Sequence, residues 1–316
     1  MRPILRTAFG AVWRTVLTLL AASVVIFVLL RLVPGDQAQV ALGVDATPEL
    51  IEATRERYGL DRPLWAQYGE WIGGVFSGRF GTSLVTGQEM SAVIADRTAV
   101  TLWLVIPSVL LALLIAGVLG TWAATRRGKP DAALITVGSQ LLMAVPGFLA
   151  GVLLVLVFAL GLGWLPPSGW VVPVDSPSGF VRHLILPVLA LTAVQAAILT
   201  RFVRSAMLDV LSSDYLREAR AKGLSRGAAI RKHGLPNAAI PVLTVTGVQL
   251  SSLLVGAVVI ESVFDVPGVG SLLVDAVAQR DMITIQGIVM VLVGLTVLLN
   301  LAIDLIHTLI DPRTRA

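Results

Sequence analysis

Apolar residues in this chain gather in long runs, not at the spaced positions of a helix or strand that faces water on one side. The runs cover residues 16–30, 102–124, 134–160, 184–203, 240–259 and 283–306. Each approaches the roughly 20 residues a helix needs to cross about 30 Å of hydrocarbon. The pattern therefore predicts an all-α membrane protein with six transmembrane helices. Pro107, Pro146, Pro187 and Pro241 fall within or at the edges of these runs, where neighbouring groups can satisfy the carbonyls that proline frees. Gly117, Gly120, Gly247 and Gly256 suit close helix contact.

Two polar stretches interrupt the pattern. In the first, 37–97, Thr47-Pro48-Glu49 reads as N-cap, first helical position and dipole-favourable acid of a helix that Gly59 ends. Asp61-Arg62-Pro63 starts another, with Trp65, Tyr68, Trp71, Ile72, Val75 and Phe76 at helical spacing. That aromatic face suits either a membrane interface or packing against other helices of the protein. Residues 78–83 then make a turn.

The second stretch, 212–237, predicts a basic helix-turn-helix. Ser212 and Ser213 offer N-cap oxygens, Asp214 favours a helix N-terminus, and Arg220 and Lys222 fall near the other end. Gly223 is placed to close the helix in the left-handed conformation. A second piece, 226–233, is expected to stop at Gly234 and Pro236. The bland reading is a basic loop that merely fixes topology.

Composition agrees with the pattern. Of 316 residues, 56% are hydrophobic and 14% charged, where a soluble domain carries nearer a quarter charged. With no cysteine, disulfides, thiolate metal sites and thiol nucleophiles are excluded. The first run follows a basic start as in a signal peptide, but it is long and no Ala-x-Ala-like site follows. It is read as a retained transmembrane helix, with Arg31 able to reach the headgroups.

The placement of basic residues orients the chain. Arg2, Arg6 and Arg14 precede the first run, and Arg126, Arg127 and Lys129 lie between the second and third. Arg201, Arg204, Arg217, Arg220, Lys222, Arg226, Arg231 and Lys232 cluster around the fourth-to-fifth connection, and Arg313 and Arg315 come last. The short alternate loops hold Arg182 and Arg280. Both termini and the 212–237 loop are expected on the cytoplasmic side.

Gly223 followed by Leu235-Pro236 resembles the coupling ("EAA") loop of bacterial ABC-importer permeases. Counting back from Gly223, the Glu-Ala-Ala places are held by Arg217-Glu218-Ala219, and His233 stands at the family's isoleucine position. The Arg-x-Ala-Arg-Ala-Lys-Gly-Leu form is similar to that of the dipeptide/oligopeptide branch. Pro34-Gly35-Asp36, the Gly78–Ser83 pattern, 205–211, 261–270, Arg280-Asp281, Gln286-Gly287, Asn300-x-x-x-Asp304 and Asp311-Pro312-Arg313 extend the resemblance over nearly the whole chain. Those permeases usually carry an acid at the place of Arg79.

The resemblance implies the type I importer permease fold with an extra N-terminal helix, 1–33, and an extracytoplasmic region of short helices, 34–97. The five-helix core is then 98–316, with its coupling loop at about 205–237. It implies docking on an ATPase through Arg217, Glu218, Ala219, Lys222, Gly223, Leu224, Leu235 and Pro236, with Ala219 facing the groove. Implied partners are a second homologous permease subunit, two ABC ATPase subunits or one fused ATPase, an extracytoplasmic substrate-binding protein and the lipid bilayer of the bacterial inner membrane. Nucleic acid is not implied. No cofactor is expected on this chain, and ATP with magnesium belongs to the ATPase subunits. The implied cargo is a dipeptide, oligopeptide or similar solute, with nickel or a metal chelate as the alternative.

Catalytic chemistry is not legible. G-x-x-x-x-G-K-[ST] is absent, His183, His233 and His307 are dispersed, and no G-x-S-x-G occurs. Gln140, Gln195 and Gln249 are neutral intramembrane groups that bond between helices or line a path. Thr246, Gln249 and Ser252, three residues apart along the fifth run, are the candidate path residues. Asn300 and Asp304 read as an interhelical bond or an end cap. An ion-coupled transporter would need buried mid-helix carboxylates, and an intramembrane enzyme paired reactive groups; the sequence shows neither convincingly.

Overall fold

The computed structural model describes residues 2–33, 35–43 and 46–310, without the side chains of residues 2–9, 41 and 307–310. Pro34, Asp311, Pro312, Arg313 and Arg315 lie outside the described residues. Helices follow in the order α1 (Arg2–Arg31), α2 (Gln37–Leu42), α3 (Pro48–Arg57), α4 (Leu64–Phe76), α5 (Met90–Thr125), α6 (Pro130–Met143) and α7 (Gly147–Leu154). Then come α8 (Pro177–Leu211), α9 (Asp214–Ala221), α10 (Arg226–Ala229), α11 (Leu235–Phe264), α12 (Val269–Ala278) and α13 (Met282–Ile310). π-Helical turns extend α7 over Val155–Gly161 and join α10 to α11 over Ile230–Gly234.

Among the described residues five helices are long and apolar enough to cross a membrane, and outward faces match: Leu110, Leu114, Val248 and Val255 are all more than half exposed. Apolar side chains in that setting face lipid or another membrane chain.

The third apolar run departs from expectation. Residues 134–160 do not form one straight crossing, because α6 and the α7 segment meet at 104°. Pro146 has no N–H and pushes Val145 away from helical geometry. The amides of Ala144 and Val145 accordingly turn back to Leu141 and Leu142. The 14 residues of α6 are too few to cross alone.

Packing nevertheless shows that the bent pair carries the chain across once. Along α5 and α8, Trp103 meets Phe180, Ser108 meets Val188, and Gly120 meets Val203. Contacts that advance together in sequence mean the two helices run parallel. The connection between them must therefore return to the starting side, and the bent pair is what returns it. Counted so, the described residues hold six spans.

The described chain forms two compact units. The first comprises the residues up to Val12, Leu102–Val266 and those from Leu299. Its core includes Ala112, Ala116, Leu199, Val203 and Met207, continuous with Leu216, Ala229 and Ile230. The second comprises Trp13–Thr101 and Pro267–Leu298, with Met90, Ile94, Val269 and Ile288 at its centre.

Within the second unit the polar stretch is built as the sequence predicts. Thr47 Oγ1 accepts from the Leu50 amide, and Gly59 (φ +63°) closes α3 with bonds from its own amide to Glu56 and from the Leu60 amide to Arg55. The aromatic face of α4 divides. Tyr68 and Trp71 pack on Phe27 at 5.4 and 6.2 Å between ring centroids, whereas Trp65 and Phe76 stay exposed. Asp36 caps α2 through the Ala38 amide and also pairs with Arg55, holding that guanidinium above its ordinary pKa. Arg31 bonds to Gln67 and lies over the Phe27 ring at 5.3 Å, so it packs on protein.

Glycine placement is selective. A Cβ on Gly120 would sit 2.6 Å from Val203 Cβ and 2.9 Å from the Thr200 carbonyl, and one on Gly247 would sit 3.0 Å from Asn300 Oδ1. Gly117 has no such neighbour within 4 Å, and Gly256 makes an ordinary contact with Leu191. The close-approach role predicted for four glycines holds most strongly for Gly120 and Gly247.

Candidate functional site

α9 is an eight-residue helix whose two buried side chains, Leu216 and Ala219, are apolar and lie three apart. They join the α5–α8–α11 core, together with half-buried Leu224. The opposite face is charged, exposed and internally paired, Arg217 with Asp214 and Lys222 with Glu218 at 2.6 Å. Such i,i+3 and i,i+4 pairs contribute only about 0.2–0.5 kcal/mol each, but they spread the charges along one surface.

The C-terminus of α9 forms as Gly223 predicts. Gly223 has φ +94°; its amide bonds the Arg220 carbonyl at 3.0 Å and the Leu224 amide bonds the Ala219 carbonyl at 3.3 Å. These are the two bonds of a Schellman end, and they require a residue free to take positive φ. The N-terminus differs from expectation. Ser213 occupies the N-cap position without a side-chain cap, because its hydroxyl donates to the Val210 carbonyl and that of Ser212 to Asp209. Both serines finish α8 rather than start α9.

Ala219, expected to face a partner's groove, instead faces its own core at 8% exposure. An amphipathic helix this short has one apolar stripe, and α10, the Ile230–Gly234 turn and the core they join already claim it. The outward residues are Tyr215, Arg217, Glu218, Arg220 and Lys222, with Gly223 beside them. Leu235 and Pro236 are also exposed.

The expected stop at Gly234 and Pro236 is overturned. Ser225 caps α10 through the Ala228 amide, and the helix then runs through to Phe264. The Pro236 ring would strike the carbonyl four residues back, at Lys232. That carbonyl lies in the widened π turn Ile230–Gly234, which makes room. Asn237 Nδ2 donates to the neighbouring His233 carbonyl at 2.7 Å.

Arg226 Nη2 donates to the Thr125 carbonyl at 3.2 Å, tying this loop to the end of α5. The Arg126–Lys129 turn and the 212–237 loop thus lie on one face, as their shared basic character predicts.

The three candidate path residues do not share one environment. Thr246 is buried and donates to the Val242 carbonyl, Gln249 is half-buried, and Ser252 is exposed. A spacing of three drifts about 60° per step around a helix, enough over two steps to pass from inside to outside. The outward stripe of α11 is Val248, Ser251, Ser252, Val255 and Val259. Of the other glutamines, Gln195 is buried and Gln140 exposed.

Sequence reasoning took in Glu261 and Asp281 only through the resemblance and missed that both acids are buried. Asp281 accepts from Ser83 Oγ, from Thr284 Oγ1 at 2.6 Å and from the Thr284 amide, so it is the N-cap of α13. An aspartate three residues before a threonine at the head of an apolar run carried that signal. Asp265 (φ 52°) and Arg280 (φ 55°), just after α11 and α12, take the left-handed conformation without being glycine. Among the described residues no group of three or more His, Cys, Asp or Glu is placed to hold a metal.

Comparison with known proteins agrees with this architecture. Residues 116–316 match the family model described as binding-protein-dependent transport system inner membrane component. Residues 1–105 match that of the N-terminal part of such membrane components. The glutathione transport system permease proteins GsiC of Salmonella choleraesuis (strain SC-B67) and Salmonella typhi are each 42% identical over 299 residues, 94% of this chain and 95% of the relative. That of Escherichia coli (strain K12) is 40% identical over the same shares. A family match across most of the chain, joined to an all-α six-span fold, places this chain in the binding-protein-dependent transport family, as an inner-membrane ABC-importer permease of its peptide/oligopeptide branch and a transport component, not an enzyme.

Proposed function

We propose that this permease forms half of a path for peptide-like solutes and takes its energy from a separate ATPase that docks on α9. The observation that carries the reading is how α9 is seated. Leu216 and Ala219 anchor it in the core of the first unit, while Tyr215, Arg217, Glu218 and Lys222 project outward beside a fixed Gly223 turn. A rigidly seated helix with an outward polar face can pass a displacement to or from α8 and α11; a loop kept only for topology needs no such anchor. The loop and both termini face the cytoplasm, where ATP and magnesium are held by the ATPase subunits.

A second permease subunit would complete the path. Exposed Ser252 and half-buried Gln249 on α11 are the polar groups best placed to face it; Thr246, bonded to its own helix, supports that wall from behind. A substrate-binding protein delivers the solute from outside. The named relatives are glutathione permeases, which favours small peptides as cargo, and they lend no support to the nickel or metal-chelate alternative.

The test is uptake by the complex reconstituted with its ATPase, second permease and binding protein. Dipeptides, longer peptides, glutathione and chelated nickel would be offered singly. ATP-dependent accumulation of a peptide is expected, and accumulation of nickel alone would overturn the substrate reading.

A further inference from the structure

Two clefts of the first unit adjoin at the α5–α6 turn, and no residue of α9 lines either. One, of about 730 Å³, is lined by Arg126, Arg127, Lys129, Ser212 and Arg226 among others. The other, of about 420 Å³, shares Arg127 and Lys129, adds Arg204, and is otherwise walled largely by apolar groups such as Pro130, Ala133 and Val137.

Charge here is one-sided. Asp131 lies beside the clefts; its Oδ2 pairs with Arg126 at 2.6 Å and accepts from Trp122 Nε1 at 2.9 Å, while its Oδ1 is buried without a hydrogen-bond partner. Among the described residues no ion pair engages Arg127, Lys129, Arg204 or Arg226. Arg204 Nε is buried with no hydrogen-bond partner, and a buried donor left so costs free energy that a ligand oxygen would recover. Trp122, half exposed with Arg126 over its ring at 5.4 Å, marks this level as a membrane–water boundary.

We propose that the paired clefts hold an anionic phospholipid, its phosphate among Arg127, Lys129, Arg204 and Arg226 and an acyl chain along the apolar wall of α6. Basic pockets between transmembrane helices recognise acidic headgroups in this way. Inorganic phosphate would satisfy the cations but leave the apolar wall unused, and an acidic segment of a partner protein would reach the open cleft but not the buried Nε of half-buried Arg204. The site is separate from the docking reading and does not depend on it.

The full-length permease, purified in neutral detergent, would be titrated with phosphatidylglycerol, phosphatidylcholine or inorganic phosphate while its thermal midpoint is followed. Phosphatidylglycerol should raise the midpoint and the other two should not. Each cation removed should weaken that response roughly fivefold, so Arg127→Gln with Lys129→Gln should weaken it about 25-fold. These two side chains lie on an exposed turn, so the pair keeps the test open if Arg204→Gln fails to fold; the unliganded midpoint is the control. Equal stabilisation by inorganic phosphate would make this a free-anion site, and an unchanged lipid response in the double variant would remove the cations from it. Loss of the ATPase subunits from the variant complex, with lipid binding intact, would reassign the patch to a protein partner. Each of these three results overturns the proposal.

Discussion

Ser83 Oγ donates to the Asp281 carboxylate across 198 positions of sequence, and both side chains are buried. The same hydroxyl accepts from the amides of Val85 and Thr86, and Asp281 caps α13 through Thr284. Two short motifs that look unrelated in sequence thus form one joint, holding the first polar stretch to the start of the last span. A Cβ on neighbouring Gly81 would lie 2.8 Å from Ile283, which shows how closely the strands of this joint approach.

The joint should act as a unit. Asp281→Ala would leave the Ser83 and Thr284 hydroxyls without their acceptor, at a cost of about 2–4 kcal/mol by the usual worth of buried hydrogen bonds to a charge. Adding Ser83→Ala to that variant should cost clearly less than Ser83→Ala costs alone. Thermal or denaturant unfolding of the purified permease measures both. Strict additivity would show that the two residues do not depend on one another.

Two glycines one helical turn apart should respond oppositely to one methyl group. Gly120→Ala drives a Cβ into Val203 and the Thr200 carbonyl, so α5 and α8 must separate, at about 1–3 kcal/mol. Gly117→Ala meets nothing within 4 Å and should be neutral or slightly favourable. The thermal midpoints of the two variants decide the matter, and equal midpoints would contradict the α5–α8 packing.

How far the fold could be read from sequence depended on the range of the forces involved. Local signals were legible: Thr47 and Gly59 bound α3, and Gly223 closes α9, because caps and left-handed turns involve a few consecutive residues. Proline outcomes were not. Pro107, Pro187 and Pro241 stay inside helices whereas Pro146 breaks one, although all four sit in similar apolar sequence. What differs is tertiary: Ser108, beside Pro107, donates to the Val188 carbonyl of α8 at 3.3 Å, while beyond Pro146 the Phe264 ring lies close against Gly151 and holds the new direction of α7. The inward side of α9 was hidden for the same reason, since a small residue such as Ala219 suits a partner's groove and its own core equally well.

The placement of basic residues and the broken span together make orientation testable. The chain lacks cysteine, so single cysteines can be introduced at exposed positions and probed in intact cells with a membrane-impermeant thiol reagent. Asp61→Cys and Val174→Cys should label, whereas Arg127→Cys and Arg220→Cys should label only after permeabilisation. Labelling at 127 and 174 under the same condition would mean that α6 and α7 re-enter on one face. Labelling at 220 but not 61 would invert the protein.

Gly223 carries the most pointed consequence for transport. Its φ of +94° lies outside the range that residues with a Cβ adopt readily. An added Cβ meets no atom of this chain within 4 Å, so the strain in Gly223→Val is purely conformational. It should amount to about 1–3 kcal/mol, relieved by unwinding the last turn of α9. Insertion of the spans should survive, because the turn is exposed and Leu216 still anchors the first half of α9. The proposed docking surface would lose the fixed positions of Lys222 and Glu218, and 1–3 kcal/mol weakens an interface by roughly 5- to 150-fold. Gly223→Asn, which tolerates positive φ better, should fall between wild type and valine. The assembled complex would be scored for ATPase retention and for hydrolysis stimulated by loaded binding protein. Wild-type values for valine in both assays would show that the turn does not transmit coupling, whereas a graded loss through asparagine to valine ties transport to the backbone geometry of this residue.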